Sequence, residues 1–139
     1  MANLQLVTAA LCRDILIDQI TQAFSFVNII ESVFVSSLPN VLADIKLGAL
    51  WRVAAPGAST SYTMRTLLIR PDGRMEGLLE NKIAETPSPF QKIYIRIGQI
   101  ALNSEGLHWV ALETTVNGAT HRHAELPFLV AVRREAKKG

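Results

Sequence analysis

LHWVALETTVNGATHRHAELPFLVAV, residues 107–132, is the stretch whose reading decides the fold. Two runs rich in aromatic and β-branched residues flank Asn117-Gly118. An Asn-Gly pair between such runs marks a two-residue hairpin turn, because both central residues of the favoured turn need a positive φ. A two-residue turn also fixes the register. Val116 then faces Ala119, Thr114 faces His121, Leu112 faces His123, Val110 faces Glu125 and His108 faces Pro127. The opposite face sets Glu113 against Arg122, Ala111 against Ala124, Trp109 against Leu126 and Leu107 against Phe128, with Val130 and Val132 continuing it. That second face is strongly apolar at its base, so it is the expected core side. The histidine face is mixed and is the expected outer one.

Strand signals recur outward from this hairpin. QKIYIRI (91–97) alternates cleanly, with Ile93, Ile95 and Ile97 facing in and Lys92, Tyr94 and Arg96 facing out. RMEGLLENKI (74–83) reads as a strand weakened by Gly77, hence a bulge or an edge. It returns from SYTMRTLLIR (61–70) through a turn at Arg70-Pro71-Asp72-Gly73. VLADIKLGALWRVA (41–54) places Ile45, Leu47, Ala49 and Trp51 on one parity, and Leu38-Pro39 marks the corner before it. PGAS (56–59) and TPSPF (86–90) read as loops. AFSFVNIIESVFV (23–35) suits a pleated surface and is expected to bend or change sheet around Glu31-Ser32. LQLVTAAL (4–11) is a short strand ended by Arg13-Asp14. Over CRDILIDQITQAF (12–24), Cys12, Leu16, Ile20 and Phe24 fall at intervals of four, a helical stripe. The β-branched Ile15, Ile17, Ile20 and Thr21 favour a short strand there instead. About eight short strands with frequent turns predict an all-β fold, an antiparallel two-sheet sandwich, with barrel closure as the alternative.

The chain has 139 residues, enough for one core and too few for two comfortable ones. Residues 1–132 are expected to form a single domain, with 133–139 a basic, frayed tail. An apolar share of 49% against 19% charged excludes a disordered chain. The net charge is +2 and the basic residues are scattered outside that tail, which argues against nucleic acid as a partner. Cys12 is the one cysteine, which excludes an internal disulfide and a multi-cysteine zinc site. MANLQLVTAALC lacks a basic leader, and Leu11 stands where a lipoprotein signal needs a small residue. No apolar run reaches the ~20 residues of a membrane helix. A cytoplasmic protein is the expectation, with no membrane partner.

The candidate chemistry is sparse. His121, His123 and Glu125 recur at intervals of two, on one face of a strand. Two such histidines suit zinc, copper or iron, but a third ligand is needed. Glu125 lies roughly 13 Å along the strand from His121, so His108, His123 and Glu125 are the workable metal trio. A cupin's HxH strand is followed by a further glutamate and a later histidine, whereas here LPFLV follows and no histidine does. Solvated histidines near a hairpin tip are therefore the leading reading, with no metal and no cofactor. Ser59, Thr60 and Ser61 lack the context of a nucleophile elbow, IRPDGR lacks a calcium loop's acidic ligands, and no phosphate-binding glycine pattern occurs. Asp14 and Asp18 read as turn or strand-end residues. Trp51 and Trp109 read as core anchors, with Trp51 and Tyr62 the lesser alternative as a sugar or small-molecule binding surface.

The order LVTAALCRD, SSLP, RPDGR, EGLHWVAL, NG and ELPFLVAV resembles a bacterial family known only as a domain of unknown function, with an immunoglobulin-like β-sandwich. Gly106, His108, Pro127 and Val130 match that pattern, His108 standing where an aromatic is usual. The resemblance implies the sandwich and brings no catalytic residues. The expected function is non-enzymatic: contact with a protein partner or homo-oligomerisation, using the Gly77 edge or an outer face bearing Val110, Leu112 and His123. A lectin-like module and a metal-dependent enzyme are the alternatives.

Overall fold

Alternating and β-branched sequence leaves little room for helix, and the computed structural model, which describes residues 4–53, 61–84 and 88–133, contains strands alone. Among the described residues there are nine: β1 (Leu4–Ile17), β2 (Phe24–Ile29), β3 (Ser32–Val35), β4 (Asn40–Val53), β5 (Ser61–Ile69), β6 (Met75–Ala84), β7 (Phe90–Leu102), β8 (Gly106–Val116) and β9 (Ala119–Val132). They form two sheets, a four-stranded one in the order β2-β1-β4-β7 and a five-stranded one in the order β3-β9-β8-β5-β6. The described residues form an all-β, two-sheet sandwich. Every pairing is antiparallel except β3 with β9.

The helical stripe over 12–24 does not form a helix. β1 runs past Arg13-Asp14 to Ile17, because β2 and β4 satisfy its backbone groups from either side. The Asp18 carboxylate closes the turn, accepting the Ile20 and Thr21 amides at 2.8 Å each. The expected change of sheet occurs: Ile30 donates to the Leu11 carbonyl of the first sheet, and the next carbonyl, Glu31, accepts from Leu129 of the second. Gly77 sits on the edge strand β6 at the expected bulge, where Leu67 faces Gly77, Thr66 faces Leu79 and Leu78 is the extra residue.

Between the sheets lie Ile45, Leu47, Ala49 and Trp51 of β4, Ile95 and Ile97 of β7, Tyr62, Met64 and Leu68 of β5, and Phe128 and Val130 of β9, all buried. Burying one such aliphatic side chain contributes roughly 1.5–3 kcal/mol. The PGAS loop, Thr86-Pro87 of TPSPF and the tail beyond Arg133 lie outside the described residues. Arg133 itself is held, its amide donating to the Val35 carbonyl and its guanidinium lying 4.4 Å from the centre of the Phe34 ring.

Candidate functional site

The closing hairpin turns where the Asn-Gly pair requires, with φ of 50° at Asn117 and 79° at Gly118. Its first pairs are those expected: Val116 with Ala119, Thr114 with His121 and Glu113 with Arg122. The ladder then slips. Leu112 faces Ala124, which leaves His123 as the extra residue of a β-bulge. Below it every pair is displaced by one, so His108 faces Phe128, Trp109 faces Pro127 and Leu107 faces Leu129. A displacement by one exchanges the faces of a strand. Here the exchange falls on β9 beyond His123, and the buried face of β8 is His108, Val110, Leu112, Thr114 and Val116, while Trp109 is half-buried on the outer face. The expected outer contact surface of Val110, Leu112 and His123 is thereby overturned, since Val110 and Leu112 are wholly buried.

The histidines separate accordingly. His108 is fully buried and stacks on Phe128 at 5.1 Å. Its Nδ1–H donates to the Gly106 carbonyl at 3.0 Å, and its Nε2 has no hydrogen-bond partner among the described residues. Burial lowers its pKa, the Gly106 hydrogen bond opposes this, and the Arg70 charge adds to the lowering. His123 is half-buried, with Nε2 2.6 Å from Thr114 Oγ1 and its ring set edge-to-face with Trp51 at 4.8 Å. Burial first, and the neighbouring His121 second, lower its pKa. Only His121 is exposed. His108 and His123 are separated by roughly 15 Å along β8, and Glu125 is turned to Arg122 Nη1 at 2.9 Å. The trio does not converge, and among the described residues no three histidine, cysteine or acidic groups are placed to hold a metal.

Trp51 and Tyr62 are likewise interior, 0% and 2% exposed, and the Tyr62 hydroxyl donates to Gln91 Oε1 at 3.2 Å. Core anchoring holds for Trp51, and neither ring forms a sugar-stacking surface.

The outer faces carry the features that sequence reasoning missed. On the five-stranded sheet, Pro127, Trp109, Ile69 and Met75 pair in a row across four strands. Leu129 and Leu107 pair beside them, and Phe34 lies on the adjoining β3. Pro127 is exposed, as are Phe34 at 55%, Met75 at 63%, Leu107 at 42% and Leu129 at 42%. Arg122 borders the band, bonded to Glu113 at 3.2 Å and Glu125 at 2.9 Å, with Nη2 3.7 Å from Met75 Sδ. The bulge at His123 completes this band by bringing Pro127 and Leu129 of β9 to the Trp109 side of β8.

On the four-stranded sheet, the β1–β2 hairpin bends over its own outer face. Ile15 and Phe26 lie on Gly48, where an added Cβ would come within 2.4 Å of Phe26 Cε1. Asp14 reaches Lys46 at 2.7 Å, and this bond holds its carboxyl below the ordinary range. Lys92 donates to the Gln22 carbonyl and lies 5.5 Å from the centre of the Phe24 ring. Beside the hairpin an open depression of about 510 Å³ is lined by Leu50, Ser88, Phe90, Gln91 and Lys92.

No protein-family model matches the sequence, and no curated protein matches it. Among solved structures, the chain is similar to the alkylpurine DNA glycosylase AlkC of Pseudomonas fluorescens, solved bound to DNA containing an abasic site analog. The TM-score is 0.52 at 13% identity, covering 94% of this chain and 31% of that one. An immunoglobulin-like protein from Pseudomonas aeruginosa gives a TM-score of 0.39 at 13% identity, covering 94% of this chain and 98% of that one. The glycosylase shares the fold. This chain spans about a third of that enzyme's length, so the enzyme's chemistry does not transfer with it. Among the described residues no helix is long and apolar enough to cross a membrane.

Proposed function

We propose that this chain is a binding module that acts by contact with protein, a second copy of itself being the simplest partner. The contact surface is the outer face of the five-stranded sheet. The observation that carries this reading is the apolar band of Phe34, Leu129, Leu107, Trp109, Ile69 and Met75, which runs across all five strands. An exposed apolar band with a charged border has the anatomy of an interface core and rim. The border here is the Arg122 cluster with Glu113 and Glu125 on one side and Arg133 beside Phe34 on the other. Two copies related by a two-fold axis would bury the same band on both partners.

Size-exclusion chromatography with light scattering on the full chain tests the proposal. A dimer is expected, and replacing Leu107 and Leu129 with Glu is expected to give a folded monomer. Both side chains are partly exposed, so the substitution leaves the interior packing in place. A parent protein that stays monomeric at every concentration would remove the self-association reading.

A further inference from the structure

We propose that the outer face of β7 is a binding site for single-stranded nucleic acid. Along this edge strand Phe90, Lys92, Tyr94 and Arg96 are all exposed and alternate aromatic with cation. Successive members stand ~6.6–6.8 Å apart by the strand rise. Phe90 is 52% exposed and Tyr94 58%, so both rings are open to a stacking partner. Arg52 on β4 stands opposite Phe90 and adds a third cation free of carboxylates. Lys46, opposite Arg96, is neutralised by Asp14. Arg52, Lys92 and Arg96 pair with no carboxylate among the described residues, and Lys92, which donates to the Gln22 carbonyl beside Phe24, keeps its full charge because that partner is neutral. The nearby Asp18 carboxylate is occupied by the Ile20 and Thr21 amides.

The chemistry of such a strip fits one class of ligand. Exposed rings give base faces something to stack on, and the cations between them meet the phosphates. The depression beside Phe90 and Leu50, about 510 Å³, is large enough to receive an unstacked base. A duplex would leave the rings idle, because its bases are already stacked on one another. Scattered positions in the sequence argued against nucleic acid, but pairing of β4 with β7 brings residues 52, 92 and 96 onto one face. This face belongs to the other sheet from the proposed protein contact, so the two proposals stand separately.

Fluorescence anisotropy with the full chain and a labelled oligothymidylate of about ten nucleotides, within the usual site sizes, tests the assignment. Binding is expected at low salt, with the logarithm of affinity falling against the logarithm of salt at a slope of about −2 for three phosphate contacts. Arg96→Gln and Arg52→Gln should each reduce that slope by about 0.7. Tyr94→Ala should weaken binding ~5- to 150-fold with the slope unchanged, and Tyr94→Phe should retain it. All three residues are exposed, so unchanged circular dichroism is expected to confirm the fold of each variant. Absence of binding, equal binding of a duplex of the same length, or binding indifferent to Tyr94→Ala would each overturn the proposal. So would a Tyr94→Ala variant that changes the oligomeric state and leaves oligonucleotide affinity untouched, because the edge would then be a protein contact.

Discussion

Replacing Gly48 with Ala tests whether the β1–β2 hairpin rests on β4. The new Cβ would stand 2.4 Å from Phe26 Cε1 and 2.8 Å from Ile15 Cδ1, where ordinary contact is 3.4–4 Å. Both neighbours must therefore shift by roughly an ångström, and overpacking of this kind costs typically 1–3 kcal/mol. Ala in a strand recovers about 0.5–1 kcal/mol of the backbone entropy that Gly loses on folding. The net expectation is a loss of roughly 0.5–2 kcal/mol, read from urea unfolding midpoints at constant slope. Gly98→Ala on β7, where an added Cβ meets nothing within 4 Å, is the matched control and should be neutral or slightly stabilising. Truncating Phe26 to Ala should shrink the Gly48→Ala penalty, since the Ile15 methyl that remains can rotate away. A Gly48→Ala protein as stable as its parent, with Phe26 intact, would show that the hairpin does not press on β4 in solution.

Gly118→Ala places a side chain at φ 79° in the closing turn and should lower stability by about 1–2 kcal/mol, measured by the same unfolding curves; no loss would mean the turn relaxes to another type. Stability should also decline on acidification. His108 and His123 have lowered pKa values in the folded state, so below an unfolded pKa near 6.5 the unfolded chain binds more protons. Their contribution is complete above that value and is lost as pH falls through the folded values, which a series of urea midpoints from neutral to mildly acidic pH would show; Asp14 and Asp18, also lowered, act in a separate window below 3.8. His108→Phe should preserve the stack on Phe128 and remove its share of that slope. Trp51→Ala should cost about 3–5 kcal/mol or prevent folding, whereas Trp109→Ala, on the outer face, should cost clearly less; equal losses in thermal unfolding would contradict the assignment of faces.

The elements legible in the sequence were those whose alternation is consistent along their length. β7 and the second half of β4 place their isoleucines, Leu47 and Trp51 inward as expected, and Asn117-Gly118 forms the turn its conformational preference demands. The face of β8 was not legible, because both of its parities carry large apolar residues. His108, Val110 and Leu112 compete with Leu107, Trp109 and Ala111. The tryptophan weighed for one side, but the bulge decided for the other. A bulge at His123 has no local signature, since HRHAE tolerates an extra residue as readily as a regular pleat. Once the register slipped, the candidate metal ligands went to different environments and Pro127 and Leu129 joined the outer band. The β1–β2 hairpin was hidden for a related reason: the helical stripe from Cys12 to Phe24 is real as a spacing, yet Ile15 and Phe26 are used to cover a neighbouring glycine. The strip on β7 could have been read from Phe90, Lys92, Tyr94 and Arg96, but its third cation, Arg52, joins only through the pairing of β4 with β7.

The parallel pairing among the described strands has a bearing on how the fold closes. Val33 is matched to Val130 and Val35 to Val132, so the ladder of β3 waits for a segment far along the chain. Among the described strands β3 has β9 as its one partner, and a contact spanning so much sequence closes slowly. Until it does, β3 keeps a rim of unpaired backbone groups, which makes β9 the clasp that fastens that edge of the sandwich.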